Sequence, residues 1–142
     1  MKIISFSLWG DLPKYNVGAI KNALLARAYY PSWTCKYHVA NDVPSETIDK
    51  LQALSNVIIK KREELSGWRN STLWRFEDMS NPDIEIMISR DTDSRLNMRE
   101  VDAVNEWIKS DKGFHVMKDH PGHGVPILAG AFGCKNGTIP NI

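Results

Sequence analysis

Ile84-Glu85-Ile86-Met87-Ile88-Ser89-Arg90-Asp91-Thr92-Asp93-Ser94-Arg95 decides how this chain is read. An apolar run with the composition of a buried strand ends in two aspartates spaced i, i+2, with Arg90 and Arg95 to either side. Alternate residues of a strand point the same way, so this spacing lets both carboxylates converge just past the strand's carboxyl end. In α/β sheets that edge is where ligands bind. Two hard oxygen ligands aimed into a crevice suit Mg²⁺ or Mn²⁺ better than Zn²⁺. An exposed Asp-rich turn is the plain alternative, and D-x-D on its own is a common string. The clean strand before the pair and the well-started helix after it favour the ligand reading.

Working outward, the spacing predicts a strand over residues 2–8, with Ile4, Phe6 and Leu8 on one face and a stop at Gly10. A helix over 16–30 follows, carrying Val17, Ile20, Leu24 and Ala28 at helical spacing, and Pro31 ends it. Residues 35–40 read as a second strand closed by the turn pair Asn41-Asp42. Pro44-Ser45 opens a short helix with Ile48, Leu51 and Leu54. Val57, Ile58 and Ile59 make a third strand over 56–60. Residues 66–79 read as a helix with Leu73 and Phe76 inward, stopped by Asn81-Pro82. After the Asp pair, Asn97 and Glu100 form an N-cap and capping box for a helix that buries Val101, Val104 and Ile108. Residues 114–117 read as a further strand, and 130–133 as a glycine turn. Strand–helix alternation of this kind predicts an α/β fold, a mostly parallel (mixed) central sheet flanked by helices.

Bulk composition supports one α/β domain spanning 1–142. A chain of 142 residues is long enough for one core and short for two. The formal net charge of +1 advertises no polyanion-binding surface, so nucleic acid is not an expected partner. No apolar stretch approaches bilayer length, and Asp11 closes the N-terminal apolar run too early for a signal peptide. Cys35 and Cys134 stand far apart without a His/Cys cluster, so reduced thiols and a cytoplasmic setting are expected. The polar, aromatic loop 9–15 would lie beside the Asp pair at the sheet's carboxyl edge. A planar base could stack on Trp9 and Tyr15 there; loop packing accounts for the same two rings equally well.

These residues carry a resemblance. The chain resembles GT-A-type nucleotide-sugar glycosyltransferases. The matches are Phe6-Ser7-Leu8-Trp9-Gly10, Tyr29-Tyr30-Pro31-Ser32-Trp33, Leu73-Trp74-Arg75-Phe76 and Ser89-Arg90-Asp91-Thr92-Asp93-Ser94-Arg95. They continue with Val104-Asn105-Glu106-Trp107, Lys118-Asp119-His120-Pro121-Gly122-His123 and Leu128-Ala129-Gly130-Ala131-Phe132-Gly133, and so span nearly the whole chain in order. The resemblance implies a GT-A fold and transfer of a sugar from a nucleoside-diphosphate donor to a glycan or other hydroxyl acceptor. It implies that Asp91 and Asp93 hold Mn²⁺ or Mg²⁺, with Asp91 also on the donor, and that Phe6, Leu8 and Trp9 line the nucleotide pocket. Catalytic domains of the family run past 142 residues, with further strands after the region 130–133 that supply much of the acceptor site. On that count donor binding is expected more firmly than turnover, with at most slow donor hydrolysis. A second copy of the chain is a further candidate partner, because missing elements would leave a sheet edge or apolar patch.

The chemistry can be stated without the family. A sugar leaves a nucleoside diphosphate only if charge developing on the diphosphate is neutralised, which a divalent cation does. Arg75, Arg90 and Arg95 are candidates for bidentate phosphate contacts, each weighed against an ordinary surface or ion-pair role. Tyr15 joins Trp9 on the nucleotide side. Asp119 and His120, just past a predicted strand end, are the candidates for the base that takes the acceptor's proton. His120 and His123 could meet across the Pro121-Gly122 turn, as metal ligands or as plain turn residues. Two other readings compete: a nucleotide-sugar-binding domain without turnover, and a haloacid dehalogenase-type phosphatase. The phosphatase motif normally follows the first core strand rather than about the fourth, and it does not continue Ser94-Arg95. A calcium loop starting at Asp91 fails, with Leu96 where glycine is required and Asp102 where glutamate is.

Overall fold

The computed structural model describes residues 1–64 and 66–139. In chain order it has β1 (Lys2–Leu8), α1 (Pro13–Tyr29), β2 (Thr34–Ala40), α2 (Ser45–Gln52), β3 (Val57–Arg62) and α3 (Trp68–Ser71). A 3₁₀ segment (Trp74–Ser80), β4 (Ile86–Arg90), α4 (Met98–Lys109), β5 (Phe114–Val116) and β6 (Ala131–Lys135) complete it. The strands make one mixed sheet in the order β3-β2-β1-β4-β6-β5. β3, β2, β1 and β4 are parallel, and β6 runs antiparallel between β4 and β5. The predicted α/β class with a mostly parallel, mixed sheet is the one observed.

That strand order places the site. The chain steps outward from β1 to β2 to β3, then returns to lay β4 on the other side of β1. The order therefore reverses between β1 and β4, and the gap outside their carboxyl ends is the crevice that α/β sheets use for ligands. β1 ends at Leu8 and β4 at Arg90, so Trp9 and the Asp91–Asp93 turn flank that gap.

One face of the sheet carries the main core. Ile4, Phe6 and Leu8 of β1 and Ile86 and Ile88 of β4 pack with Val101, Val104 and Trp107 of α4 and with the small residues of α1. The opposite face is covered by the 3₁₀ segment over Ile3, Met87, Phe132 and Cys134. α4 forms as expected, capped by Asn97, whose Oδ1 accepts the Glu100 N–H at 3.1 Å. The other half of the predicted capping box is absent, because the Glu100 carboxylate is used by Arg90.

Three expectations are corrected. α1 does not bury Val17, Leu24 and Ala28; all three are exposed, and the buried side is Asn16, Gly18, Ala19, Asn22, Ala23 and Ala26. A face of small residues lets the helix lie close to the turn after β4, and that closeness outweighs the bulk of its aliphatic residues. Residues 66–79 are not one helix but α3 and the 3₁₀ segment, with Leu73 exposed and Trp74, Arg75 and Asp78 buried. In a 3₁₀ turn residues i and i+3 eclipse, which sends Arg75 and Asp78 to the sheet together. Residues 131–133 are not a turn but the first part of β6. Gly133 lies opposite Ile88 in register, and a Cβ there would stand 2.9 Å from the Trp107 ring, so glycine marks close packing within a strand.

Candidate functional site

Two hollows adjoin at the carboxyl edge, and Asp91 belongs to both. The first is narrow, about 30 Å³, and is lined by Ser7, Leu8, Trp9, Tyr15, Arg75, Asp91, Thr92 and Asp93. The second, about 270 Å³, has Asp91, Arg90, Arg95 and Asn97 on one side and Asp119, His123, Leu128 and Gly130 among the rest.

Each aspartate faces a cation. Asp91 Oδ1 pairs closely with Arg75 Nη1, and Asp93 Oδ2 lies 2.7 Å from Lys14 Nζ. The hydrogen bond and charge of Asp93 hold the Lys14 ammonium above its ordinary value. Arg75 is fixed from three directions. Its backbone N–H donates to Ser7 Oγ at 3.2 Å, Nε donates to the Thr72 carbonyl at 3.0 Å, and Nη1 also reaches the Arg90 carbonyl at 3.1 Å. The β4–β6 ladder ends with Arg90 opposite Ala131, and just beyond it the Asp91 carboxylate occupies the space that a Cβ on Gly130 would take.

The turn between the aspartates is clamped from α1. Asn22 Nδ2 donates to the Ser94 carbonyl at 2.7 Å and the Thr92 carbonyl at 3.3 Å, while its Oδ1 accepts the Leu96 N–H at 3.3 Å. Arg95 Nη1 turns back to the Thr92 and Ser94 carbonyls. The loop after β1 is held from β2's end. Gly10, at φ +72°, donates its N–H to Asp42 Oδ1 at 2.9 Å, and Ser66 Oγ donates to Asp42 Oδ2 at 2.5 Å. These hydrogen bonds, the Gly10 one foremost, hold the Asp42 carboxyl below its ordinary value. Asn16 Nδ2 closes the same loop on the Gly10 carbonyl at 3.1 Å. Trp9 and Tyr15 then stack on each other, centroids 6.4 Å apart at 18°.

The sequence-derived candidates therefore divide. Leu8, Trp9, Tyr15, Arg75, Asp91 and Asp93 meet at the first hollow, and Arg90, Asp91 and Asp119 at the second. Phe6 is corrected: it is fully buried in the core, stacked on Tyr37 at 4.7 Å, and lines neither hollow. Burial also decides Arg90, whose Nε is bound to Glu100 and whose Nη1 donates to the Ser89 and Phe132 carbonyls, so its guanidinium is largely committed within the fold. His120 is corrected as well. It is exposed and outside both linings, and its Nδ1 accepts the Gly122 N–H at 3.0 Å. The two histidine rings do meet, centroids 5.5 Å apart, but it is His123 that lines the hollow. Asn22, Gly18 and Asp42 went unnoticed as site-builders; their only signal is polar or small residues where apolar ones would be expected, on a helix face and in a turn.

No protein-family model matches this chain, and no curated protein does. Among the described residues no three His, Cys, Asp or Glu side chains are grouped to hold a metal ion on their own. Two carboxylates on one small hollow nevertheless fit Mg²⁺ or Mn²⁺, which commonly take one or two protein carboxylates and complete their shell with water and phosphate oxygens. In this structure Arg75 and Lys14 already neutralise the two carboxylates.

Proposed function

We propose that this chain is the donor-binding domain of a GT-A-type glycosyltransferase that takes a nucleoside-diphosphate sugar with Mn²⁺ or Mg²⁺. The observation that carries the reading is the position of Asp91 on the wall common to both hollows. A donor has the same two-part form: a nucleotide on one side of its diphosphate and a sugar on the other. The Trp9–Tyr15 pair and Arg75 suit the nucleotide side, and the wider second hollow suits the sugar and its acceptor. The resemblance in the ordered motifs along the chain supports the same assignment.

Asp91 and Asp93 would hold the ion, which when bound neutralises charge on the departing diphosphate. The protein's own groups do the rest. At about 30 Å³ the first hollow admits an ion or a phosphate oxygen but not a base, and an ion held by Asp93 would displace Lys14 from that carboxylate. Lys14, most of whose side chain is exposed, is then free to follow the phosphate. Arg75 stays fixed by its backbone contacts and keeps Asp91 oriented.

A thermal-shift panel of UDP-, GDP- and CDP-hexoses with and without Mn²⁺ tests this. At a ligand concentration 100 times Kd, binding adds about 2.7 kcal/mol of stability. Asp93→Asn is expected to abolish the metal-dependent part of the shift while leaving the apo Tm nearly unchanged. No metal-dependent shift with any nucleotide sugar would refute the reading.

A further inference from the structure

We propose that His123, held by Asp119, is the base that takes the proton of the attacking hydroxyl in the second hollow. The assignment rests on the glycosyltransferase reading and adds to it the group that activates the acceptor.

His123 and Asp119 sit four residues apart across the Pro121-Gly122 turn, and both line the second hollow that Asp91 walls from the other side. His123 Nδ1 is 3.3 Å from Asp119 Oδ1 and shielded from solvent. It is close enough for charge pairing, and no hydrogen bond is aligned in this state. A rotation of the ring that aligned Nδ1–H on Asp119 would leave Nε2 as the ring nitrogen with a free lone pair. Asp119 is steadied from α4, where Arg99 Nη1 approaches Oδ2 at 3.4 Å. The turn itself fixes the ring's approach: the His123 N–H donates to the His120 carbonyl at 2.9 Å. His120 spends Nδ1 on Gly122 and so acts as the strut of this turn.

The other charged groups on that wall are mostly committed elsewhere. Arg90 binds Glu100, Asp91 binds Arg75, and Arg95 turns to backbone carbonyls. A carboxylate behind a histidine sets its tautomer and stabilises the cation formed when the ring takes a proton. In the step proposed, the acceptor O–H proton moves to His123 Nε2 as the acceptor oxygen bonds to the sugar's anomeric carbon. The bond from that carbon to the diphosphate oxygen breaks, and its electron pair leaves with the diphosphate. Water in place of the acceptor gives donor hydrolysis by the same route.

The experiment uses the full chain, ¹⁵N-labelled at histidine, with Mg²⁺ and UDP-glucose or whichever hexose the thermal panel selects. Two-bond ¹H–¹⁵N correlation spectra read the tautomer. Neutral His123 is expected as the Nδ1–H form, and Asp119→Asn is expected to move it to the Nε2–H form. In parallel, sugar release from the donor is followed. His123→Gln is expected to slow release about 10²-fold or more. An Nε2–H tautomer in the parent chain overturns the proposal, as does release unaffected by His123→Gln. So does the reverse ranking, in which His120→Ala loses the rate and His123→Gln keeps it, and so does a parent chain that binds donor and releases no sugar. Absence of metal-dependent donor binding instead removes the glycosyltransferase reading itself and leaves the tautomer result standing as a structural fact.

Discussion

Gly18→Ala sets helix propensity against packing at the turn that carries both aspartates. Gly18 lies inside α1, where alanine is favoured over glycine by about 1 kcal/mol. Propensity alone therefore forecasts a stabilised protein. The structure forecasts the opposite. A Cβ on Gly18 would fall inside contact distance of the Thr92 carbonyl oxygen and 3.0 Å from both the Thr92 carbonyl carbon and Arg95 Nη1. The obstacle is backbone, which cannot rotate aside as a side chain could, and Asn22 pins the same turn one helical turn further along. Overpacking of this kind costs about 1–3 kcal/mol, and loosening the Asn22 hydrogen bonds adds about 1 kcal/mol. The net effect is destabilisation of about 1–3 kcal/mol, which at about 3 °C per kcal/mol for a domain of this size lowers Tm by about 3–9 °C. Because the displaced residue sits between Asp91 and Asp93, the metal-dependent thermal shift with a nucleotide sugar should shrink as well. Circular dichroism melting and the donor panel, run beside the exposed neighbour Val17→Ala, separate the effects. A Gly18→Ala protein with equal or higher Tm and an intact metal-dependent shift would show that α1 does not hold the turn in place.

Two further outcomes follow from burial. Ile88→Ala removes a fully buried side chain from β4 and is expected to cost about 2–4 kcal/mol, whereas Trp9→Ala should cost less stability and more donor affinity; denaturant unfolding and donor titration of both variants check the ranking, and the reverse order removes Trp9 from the site. The second concerns pH. Burial foremost pushes His38 below its ordinary 6.5, against the pull of Asp78, and burial with Arg90 nearby holds His115 down to about 4. The unfolded chain takes up these protons at higher pH than the folded one, so stability is full above about pH 6.5 and declines as pH falls below it. His38→Gln should flatten part of that decline in Tm measured between about pH 7 and 5, and an unchanged slope would refute the assignment.

The His38 environment also shows why part of the architecture was unreadable in advance. On the face opposite the helices, Lys36 Nζ and His38 Nε2 meet Asp78 at 2.6 and 3.2 Å, and Arg62 Nη2 reaches His38 Nδ1 at 2.7 Å. Arg62 and Lys60 both pair with Glu77. With Arg62 donating to Nδ1 and Asp78 accepting from Nε2, the neutral ring satisfies both neighbours. Such a network breaks the rule that charges stay outside, so residues 66–79 read from the sequence as one helix with Leu73 and Phe76 inward. The partners come from β2 and β3, tens of residues away, and no local period announces them.

What the sequence determined by itself is local. Alternation and apolar runs marked where β1, β2, β3 and β4 lie, because a strand buried on one or both faces needs apolar residues along it and turn residues to stop it. Asn97 started α4 by accepting a hydrogen bond from within its own first turn. D-x-D after β4 was legible for the same reason: both its position past a strand and the hardness of its oxygens are properties of adjacent residues. The tertiary structure alone decided what depends on distant segments. It placed β6 antiparallel between β4 and β5, brought Arg75 and Lys14 to the two aspartates, sent Phe6 to the core and turned His123 rather than His120 toward the second hollow. Each of these turns on which surfaces meet across the sheet, and a chain's local preferences carry no record of a neighbour that folding alone brings near.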